Sequence, residues 1–401
     1  MPAINPARLL ADLHALRAIG TYKTGVHRPT YGDDDMRSRH WLVERLGEAG
    51  LAASIDGIGN VIGRDGAPGR KLLLGSHLET QNHAGWLDGA LGVIYALETA
   101  RALGGGIDVA GWADEEGHYG SFLGSRSYCG LLHEADIDQG RNVTDGTPLR
   151  SALRTAGLAD RAREQADPAR YLGYLEAHIE QGAALEDAGQ RIGVVTAIVG
   201  SHRFRIVFEG QQNHAGTTRM AVRRDAGVAL IRLAAAIEDR FPQVVGPRSV
   251  WTTGRISLDP GAPSIVPGRA EMLFQFRDTD QARLFALEKE LETLVEAANR
   301  GPCRVTIADR GRSVPRLMDE GFQAALDAAA ERHAPRLHTR MHSGAGHDAQ
   351  ILAERMPAGM LFVPSIGGVS HHYTEDTSEA DIVLGCQVFA DAAADILAAG
   401  V

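Results

Sequence analysis

The segment of residues 71–103 constrains the fold more strongly than any other part of the chain. It begins with a short apolar run, Lys71-Leu-Leu-Leu74, which is typical of a buried strand and ends in glycine. Apolar residues then recur at helical spacing over residues 91–103. His77 therefore follows a strand end and Asp88 precedes a helix, at the rim where open α/β sheets place their functional groups. Imidazole and carboxylate at such a rim suit a divalent metal.

Length and composition narrow the class of protein. At 401 residues, two domains are expected, and 44% hydrophobic with 23% charged residues is typical of a soluble globular protein. A net charge of −10 and the lack of a Lys/Arg-rich run exclude nucleic acid as the expected partner. No apolar run approaches the roughly 20 residues of a membrane span, and the N-terminus does not resemble a signal peptide. Three separated cysteines, Cys129, Cys303 and Cys386, favour a reducing cytoplasm.

Two adjacent glutamates follow a second buried strand. Residues 107–113 form an apolar run that continues into Asp114-Glu115-Glu116. Adjacent carboxylates repel each other unless a cation or a proton compensates the charge. Because side chains alternate in extended backbone, one glutamate can bind a metal while the other faces the attacking water. Two solvated acids in a turn are the alternative, which the neighbouring His77 and Asp88 disfavour.

Two histidines complete a candidate set of metal ligands. His178 lies in a strand-like segment, where a histidine alone is more often a core residue, and His371 follows the apolar strand of residues 359–364. Three histidines and two carboxylates suffice for two divalent metals if one carboxylate bridges, and paired metals about 3.5–4 Å apart activate a shared water. Glu115 would be the general base. The candidate ligands are His77, Asp88, Glu116, His178 and His371.

The remaining pattern predicts the domain organisation. The order β-α-β-β-α-β over residues 200–312, with a helix from about residue 221 to 240, fits an inserted ferredoxin-like domain. The chain then returns to the first domain, which carries a Gly-rich turn from Ser343 to Asp348 and a long final helix. We expect a catalytic metal-binding domain at residues 1–200 and 316–401 and an inserted domain at residues 201–315.

Seven motifs in order carry a resemblance that covers nearly the whole chain. The chain resembles the hydantoinase/carbamoylase group of amidases in the M20 metallopeptidase-like family, which includes N-carbamoyl-L-amino acid hydrolases, allantoate amidohydrolases and β-ureidopropionases. The motifs are Gly75-Ser-His-Leu-Glu-Thr, Asp88-Gly-Ala-Leu-Gly-Val, Asp114-Glu-Glu-Gly, His178-Ile-Glu-Gln-Gly, Asn213-His-Ala-Gly-Thr-Thr, Ser343-Gly-Ala-Gly-His-Asp and Gly368-Val-Ser-His.

The resemblance implies a mixed-sheet α/β metal-hydrolase domain with an inserted ferredoxin-like α+β domain that serves as lid and dimerisation domain in a homodimer. It implies that Asp88 bridges the two metals and that Glu115 is the base. His214 matches a lid histidine that stabilises the tetrahedral oxyanion from the partner subunit, where a hydrogen-bond donor is worth several kcal/mol. The resemblance also implies a set of substrate-binding residues, in which Arg277 pairs with a substrate carboxylate. This set is Gln181, Asn213, Ser264, Arg277, Gly344, Ala345 and Gly346.

Three positions depart from the family pattern. Glu79 stands where the family usually has an aspartate that orients the metal-binding histidine, and one more methylene should shift that support rather than abolish it. Ser264 replaces the usual substrate-binding asparagine, whose paired donor and acceptor a hydroxyl cannot reproduce. Arg219 replaces the more usual proline and adds positive charge. The metal site is therefore predicted to be intact and the substrate pocket altered.

The leading hypothesis for function is metal-dependent hydrolysis of the linear C–N bond of an N-carbamoyl (ureido) amino acid, giving the amino acid, ammonia and carbon dioxide. An allantoate-type amidohydrolase and an N-acyl amino acid amidase are alternatives that the motifs do not separate. A catalytically silent binding homologue is a further alternative, which the presence of Glu115 and His214 disfavours. Two divalent ions are expected, with zinc first and manganese, cobalt or nickel also suited to these ligands.

Overall fold

Helices and strands alternate along most of the chain. The computed structural model describes residues 2–400. The helices are α1 Pro6–Arg17, α2 Asp33–Glu48, α3 Ala90–Leu103, α4 Leu123–Tyr128, α5 Glu134–Gln139, α6 Leu149–Thr155, α7 Ala184–Asp187, α8 Ala226–Arg240, α9 Gln281–Ala298, α10 Glu320–His333, α11 Asp348–Leu352 and α12 Glu379–Ala399. The strands are β1 Thr21–Tyr22, β2 Gly25–Val26, β3 Ala52–Ile55, β4 Val61–Arg64, β5 Lys71–His77, β6 Ile107–Trp112, β7 Tyr171–Ile179, β8 Ile192–Ile198, β9 Gly200–Glu209, β10 Asn213–His214, β11 Val250–Asp259, β12 Ile265–Val266, β13 Arg269–Asp278, β14 Arg304–Ser313, β15 Arg316–Leu317, β16 His338–Ser343 and β17 Ala358–Val363.

Residue contacts divide the chain into two compact units. The first is formed by Met1–Thr196 with Leu317–Val401, and the second by Ala197–Arg316. The predicted functional roles of these two parts as catalytic and lid domains stay predictions. The predicted α/β class with a mixed sheet is confirmed, because parallel and antiparallel strand pairs occur side by side.

The first unit contains a nine-stranded mixed sheet. Its strand order is β15-β8-β17-β7-β5-β6-β4-β3, with β16 paired to β8. The four central strands β17, β7, β5 and β6 are parallel to one another, whereas β8, β4 and β3 pair in antiparallel fashion. The four parallel strands are buried along their whole length, as expected for strands covered by helices on both faces. Their carboxyl ends therefore meet at one edge of the sheet.

Helix α3 follows Asp88 and lies against the centre of the sheet. All residues from Ala90 to Ala100 are buried, so this helix is apolar on every side rather than amphipathic. It contacts β5, β6 and β7. Gly92 permits this approach, because an added Cβ would overlap the Ala177 carbonyl oxygen and lie 2.8 Å from the Ser76 Cβ.

Helix α12 is the one helix of residues 2–400 whose length and composition would allow a membrane span. The expectation that no apolar stretch is long enough is therefore wrong for this segment. The physical reason for its apolar composition is burial, because more than half of it is inside the protein and it contacts α3, α10 and β17. Such burial is typical of a core helix in a soluble protein.

The second unit is a four-stranded antiparallel sheet with the order β11-β13-β9-β14. The four sheet strands and two long helices follow the order β9-α8-β11-β13-α9-β14, that is β-α-β-β-α-β, and the short strands β10 and β12 pair separately. Helices α8 and α9 pack against one face of the sheet around Phe204, Phe274 and Leu287. The helix predicted from about residue 221 begins later, at Ala226. The Asp225 side chain caps it by accepting from the Val228 amide at 3.0 Å, and Met220–Val222 forms a separate 3-10 turn.

The two glycines Gly92 and Gly47 provide a matched test of this packing. Gly92→Ala should lower the free energy of unfolding by about 1–3 kcal/mol, because the added methyl overpacks the helix against the sheet. Gly47 lies on an exposed turn of α2 with open space around it. Gly47→Ala should instead be stabilising by about 0.5–1 kcal/mol. Thermal and urea unfolding midpoints measure both changes, and equal midpoints for the two variants would contradict the packing argument.

Candidate metal centre

The carboxyl ends of the parallel strands bring together residues that lie far apart in sequence. His77 is the last residue of β5, His178 lies one residue before the end of β7, and Glu115 follows β6 by three residues. All three side chains are largely buried. The predicted site at this sheet edge is therefore assembled by strand order rather than by sequence proximity.

The Asp88 carboxylate lies at the centre of this group. Its Oδ1 is 3.1 Å from His178 Nε2 and 3.5 Å from His77 Nε2, and its Oδ2 is 3.2 Å from His371 Nε2. Glu116 Oε2 is 3.6 Å from His371 Nε2. The five predicted ligands thus form two clusters of three that share Asp88, namely His77, Asp88 and His178, and Asp88, Glu116 and His371, with the ligand atoms of each within 4.8 Å of one another.

The donor set fits divalent metal ions because the imidazoles are held in one orientation. His77 Nδ1 lies 3.0 Å from the Glu79 carbonyl oxygen, and His178 Nδ1 lies 2.9 Å from the Ile179 carbonyl oxygen. A ring that donates from Nδ1 carries its lone pair on Nε2, the atom that faces Asp88 in both cases. Gly89, with φ of +66°, makes room for this arrangement, because a Cβ at that position would overlap the His77 ring. Nitrogen and oxygen ligands of this kind suit zinc, manganese, cobalt or nickel.

The backbone turns at Asp114, directly before the two glutamates. This residue has φ of +55°, and its carboxylate accepts from the amides of His118, Tyr119 and Gly120 at 2.8–3.0 Å. Glu115 Oε2 lies 3.8 Å from His77 Nε2, whereas Glu116 Oε2 lies 3.6 Å from His371 Nε2. The two glutamates therefore face different partners.

The pKa values of Glu115 and Asp88 are shifted in opposite directions. Burial raises the pKa of Glu115 well above its ordinary value, and the neighbouring Glu116, Asp348 and Asp88 raise it further. Burial also disfavours the Asp88 carboxylate, but hydrogen bonds from His178, His371 and His77 outweigh it and hold the pKa of Asp88 well below its ordinary value. The centre therefore contains one carboxylate stabilised in its charged form and another with high proton affinity.

Gln181 lies against the candidate metal ligands Asp88 and His371. Its Nε2 is 3.1 Å from Asp88 Oδ2, 3.2 Å from Ser370 Oγ and 3.4 Å from His371 Nε2, with the residue in a left-handed conformation at φ of +60°. The predicted turn of Gly344, Ala345 and Gly346 follows β16, where Ser343 Oγ is 2.9 Å from His347 Nε2. The His347 ring is buried 4.6 Å from the His178 ring, so this turn belongs to the same edge of the sheet.

Glu375 is a buried residue of the centre to which the sequence analysis assigns no role. Its Oε1 accepts from the amides of Leu87 at 3.2 Å and Asp88 at 3.1 Å, and its Oε2 accepts from Ser370 Oγ at 2.8 Å. Burial and the charge of Asp88 raise the pKa of Glu375 to about 7. Glu375 thus joins the loop that carries Asp88 to the loop that carries His371. Its position four residues after a candidate ligand was the available signal.

The second unit contains the other predicted site residues, among which His214 has a defined tautomer. His214 Nδ1 accepts from the amides of Gly216 at 3.0 Å and Thr217 at 3.2 Å. Because Nδ1 accepts, the proton of the neutral ring is on Nε2, which leaves a donor on an exposed side chain. Asn213 Oδ1 accepts from the His214 amide at 2.8 Å, and the Ser264 carbonyl accepts from the Ala215 amide at 2.8 Å.

Arg277 lies on β13 of the second unit, opposite Ser201 of β9 in the ladder. Burial and the charge of Arg203 lower the pKa of Arg277 from its ordinary value. The roles predicted for Arg277, Asn213, Ser264 and His214 stay predictions.

The chain is similar in sequence to metal-dependent peptidases and amidohydrolases. Residues 82–395 match the peptidase family M20/M25/M40. The chain belongs to this family. It is 33% identical over 382 residues to an allantoate amidohydrolase of Escherichia coli, covering 91% of this chain and 92% of that protein. It is 30% identical over 400 residues to an N-carbamoyl-L-amino-acid amidohydrolase of Paenarthrobacter aurescens, covering 95% of each.

The structural comparison agrees. The chain superposes on the crystal structure of an amidase of the hydantoinase/carbamoylase family from Burkholderia phymatum with a TM-score of 0.91 and 49% identity, covering 100% of both chains. The predicted resemblance to this amidase group is confirmed, as is the prediction that the chain is an amidohydrolase. The exact substrate, the number and identity of the metals, and the site roles rest on the proposals below.

The contacts of Glu375 predict a measurable effect on metal binding. Glu375→Gln keeps the side-chain size but replaces one acceptor oxygen by an NH2 group, which cannot accept from the Asp88 amide or from Ser370. We expect about 10–100-fold weaker metal affinity, measured by calorimetric titration into metal-free protein. Glu379→Gln, an exposed glutamate at the start of α12, is the matched control and should bind metal like the wild type. Unchanged affinity in Glu375→Gln would remove this residue from the centre.

Proposed function

We propose that this protein hydrolyses the linear C–N bond of an N-carbamoyl amino acid, with two divalent metal ions held at the sheet edge. The observation that carries the proposal is that three imidazoles all point their Nε2 atoms at one buried carboxylate, that of Asp88. Glu115 lies beside them. His77, Asp88 and His178 would hold one ion, and Asp88, Glu116 and His371 the other. When bound, paired ions polarise the substrate carbonyl and acidify water.

Glu115 is the proposed general base. Its burial gives it a raised pKa, which matches a group that must take a proton from water near neutral pH and release it again. The carboxylate accepts the proton of the attacking water and then donates it to the nitrogen of the leaving group. Replacement of this side chain should therefore affect turnover rather than metal binding.

His214 is the proposed donor to the oxyanion. Its Nδ1 is occupied by two backbone amides, so Nε2–H is available as a donor without any change of tautomer. A donor fixed in advance stabilises developing negative charge more effectively than one that must reorient. We further propose that Arg277, supported by Arg203, binds the substrate carboxylate and that Gln181, Asn213, Ser264 and the turn of residues 344–346 contact the substrate.

The proposed substrate is a compound with a ureido group and a carboxylate. The relatives act, by their names, on allantoate and on N-carbamoyl-L-amino acids, and both compounds carry a ureido group and a carboxylate. The serine at position 264 offers a single hydroxyl where an amide is usual, so the pocket should prefer a different side chain from either relative. Zinc is the expected ion, and three unpaired buried cysteines within residues 2–400 support a cytoplasmic location.

Substrate profiling tests the reaction class. Metal-free enzyme is reloaded separately with zinc, manganese and cobalt and assayed for ammonia release from N-carbamoyl-L-amino acids, allantoate and 3-ureidopropionate. N-acetyl amino acids are assayed by free amine. Metal-dependent ammonia release from a ureido compound is the expected result. Activity on N-acetyl compounds alone would favour the amidase alternative, and inactivity of the loaded enzyme on all of them would favour a silent binding homologue.

Glu115→Gln tests the assigned base. This variant should lower kcat by about 10²–10⁴-fold, because the amide cannot accept a proton from water. Its metal content should equal that of the wild type, since the predicted ligands are unchanged. Glu48→Gln, at an exposed position on α2, is the control. Turnover of Glu115→Gln within a few-fold of wild type would contradict the mechanism.

A homodimer is proposed on the basis of the edge strand of the second unit. Strand β11 lies at one end of the four-stranded sheet, and its outer backbone groups are available to pair with another strand. It exposes Val250, Ile256 and Leu258 at 56%, 52% and 42%, and the neighbouring α8 exposes Ile231 at 64%. Apolar side chains along a free strand edge are typical of an interface between copies.

Ile256→Arg tests this interface. A charge on the edge strand should weaken the dimer by at least about 100-fold in dissociation constant, because it would be buried without a partner. Val143→Arg, at a similarly exposed apolar residue of the first unit, should leave the mass unchanged. Sedimentation equilibrium measures both variants. A dimer that persists in Ile256→Arg, or a monomeric wild type, would contradict the proposed interface.

A further inference from the structure

A fully buried ion pair between Arg39 and Glu79 contacts the backbone of the proposed base, Glu115. Arg39 Nη2 is 2.9 Å from Glu79 Oε2, and both side chains have no exposed surface. The guanidinium is held from several sides, since it also contacts the Asp35 carboxylate and donates to the carbonyl oxygens of Gly59 at 2.8 Å and Trp112 at 3.1 Å. Because Trp112 ends β6, Arg39 is fixed to the strand that leads into Glu115.

The second oxygen of Glu79 contacts the base itself. Glu79 Oε1 accepts from the Glu115 backbone amide at 2.6 Å. This amide belongs to the residue immediately after the left-handed Asp114, at the point where the chain leaves the regular strand. The hydrogen bond therefore fixes the peptide from which the Glu115 side chain projects.

The same carboxylate contributes little to the neighbouring metal ligand. His77 Nδ1 is 3.0 Å from the carbonyl oxygen of Glu79 but 3.8 Å from its carboxylate oxygen. The backbone of residue 79 thus orients His77, and the side chain is left for Arg39 and Glu115. These contacts account for a glutamate at position 79 where the family usually has aspartate. The longer side chain reaches both Arg39 and the Glu115 amide.

We propose that Glu79 is a positioning residue for Glu115, and that its length, rather than its charge alone, sets the orientation of the base. The inference rests on the proposed function of Glu115. Glu79→Asp keeps the charge but shortens the side chain by one carbon–carbon bond, about 1.5 Å. A displacement of about 1 Å in a reacting group can reduce the rate by about 10²-fold.

Three variants test the proposal. Glu79→Asp should lower kcat by about 10–100-fold with KM within about twofold, because orientation and not binding is affected. Glu79→Gln keeps the length and an acceptor oxygen, so it should recover at least about fivefold of that loss despite a lower unfolding midpoint. Asp35→Asn weakens the same Arg39 cluster without contacting Glu115, and it should keep kcat within about threefold of wild type while its unfolding midpoint falls.

A second readout does not depend on turnover. Hydrogen exchange of the Glu115 amide in the metal-free protein should become faster in Glu79→Asp and stay protected in Asp35→Asn and Glu79→Gln. Zinc affinity, measured by calorimetric titration, should be within about threefold of wild type in Glu79→Asp, because the His77 contact is made by the backbone.

The outcomes separate this inference from the proposed function. Wild-type kcat and exchange in Glu79→Asp would overturn it, as would an equal loss of kcat in Asp35→Asn. A fall in zinc affinity large enough to explain the loss of activity would assign Glu79 to His77 instead. If the wild-type enzyme hydrolyses no tested substrate, the proposed function fails, and the exchange measurement still decides whether Glu79 fixes the peptide of Glu115.

Discussion

The candidate centre of the first unit depends on the interaction of the Asp88 carboxylate with three histidine side chains. A buried negative charge is costly unless it is compensated, and here three imidazoles from three different parts of the chain converge on it. Strand order, the glycine after Asp88 and the contacts of Glu375 all serve to keep that convergence in place. The centre is therefore a property of the whole sheet edge, and a change in any of the four parallel strands would reach it.

The sequence was sufficient where residue type and strand pattern coincide. His77 and His178 lie at ends of apolar strands, so their meeting follows from the parallel arrangement once the α/β class is recognised. The contacts of Glu375 and Arg39 could not be predicted from the sequence, because they join segments distant in the chain that no periodic pattern relates. The turn at Asp114 is not predicted from the sequence either, since positive φ is uncommon in any residue other than glycine. The predicted start of helix α8 is too early, because Asp225 caps the helix and the apolar residues before it form a separate 3-10 turn.

The two units hold their candidate site residues in different ways. In the first unit the acids and imidazoles are mostly buried and hydrogen-bonded, as metal ligation requires. In the second unit His214 and Asn213 are exposed on a short strand pair whose backbone fixes their orientation. With the proposed roles, a substitution at position 264 would alter substrate choice without disturbing the candidate metal ligands of the first unit.

The position of β17 in the sheet has a consequence for the synthesis of the protein. This strand lies between β7 and β8, so both of its neighbours are made long before it is. Until residues 358–363 leave the ribosome, β7 and β8 have no strand between them, and their apolar edges stay open to water or to a chaperone. The sheet β11-β13-β9-β14 has all its strand partners within the continuous stretch of residues 200–313 and can fold first. Assembly of the nine-stranded sheet is thus delayed until residues 358–363 have been translated.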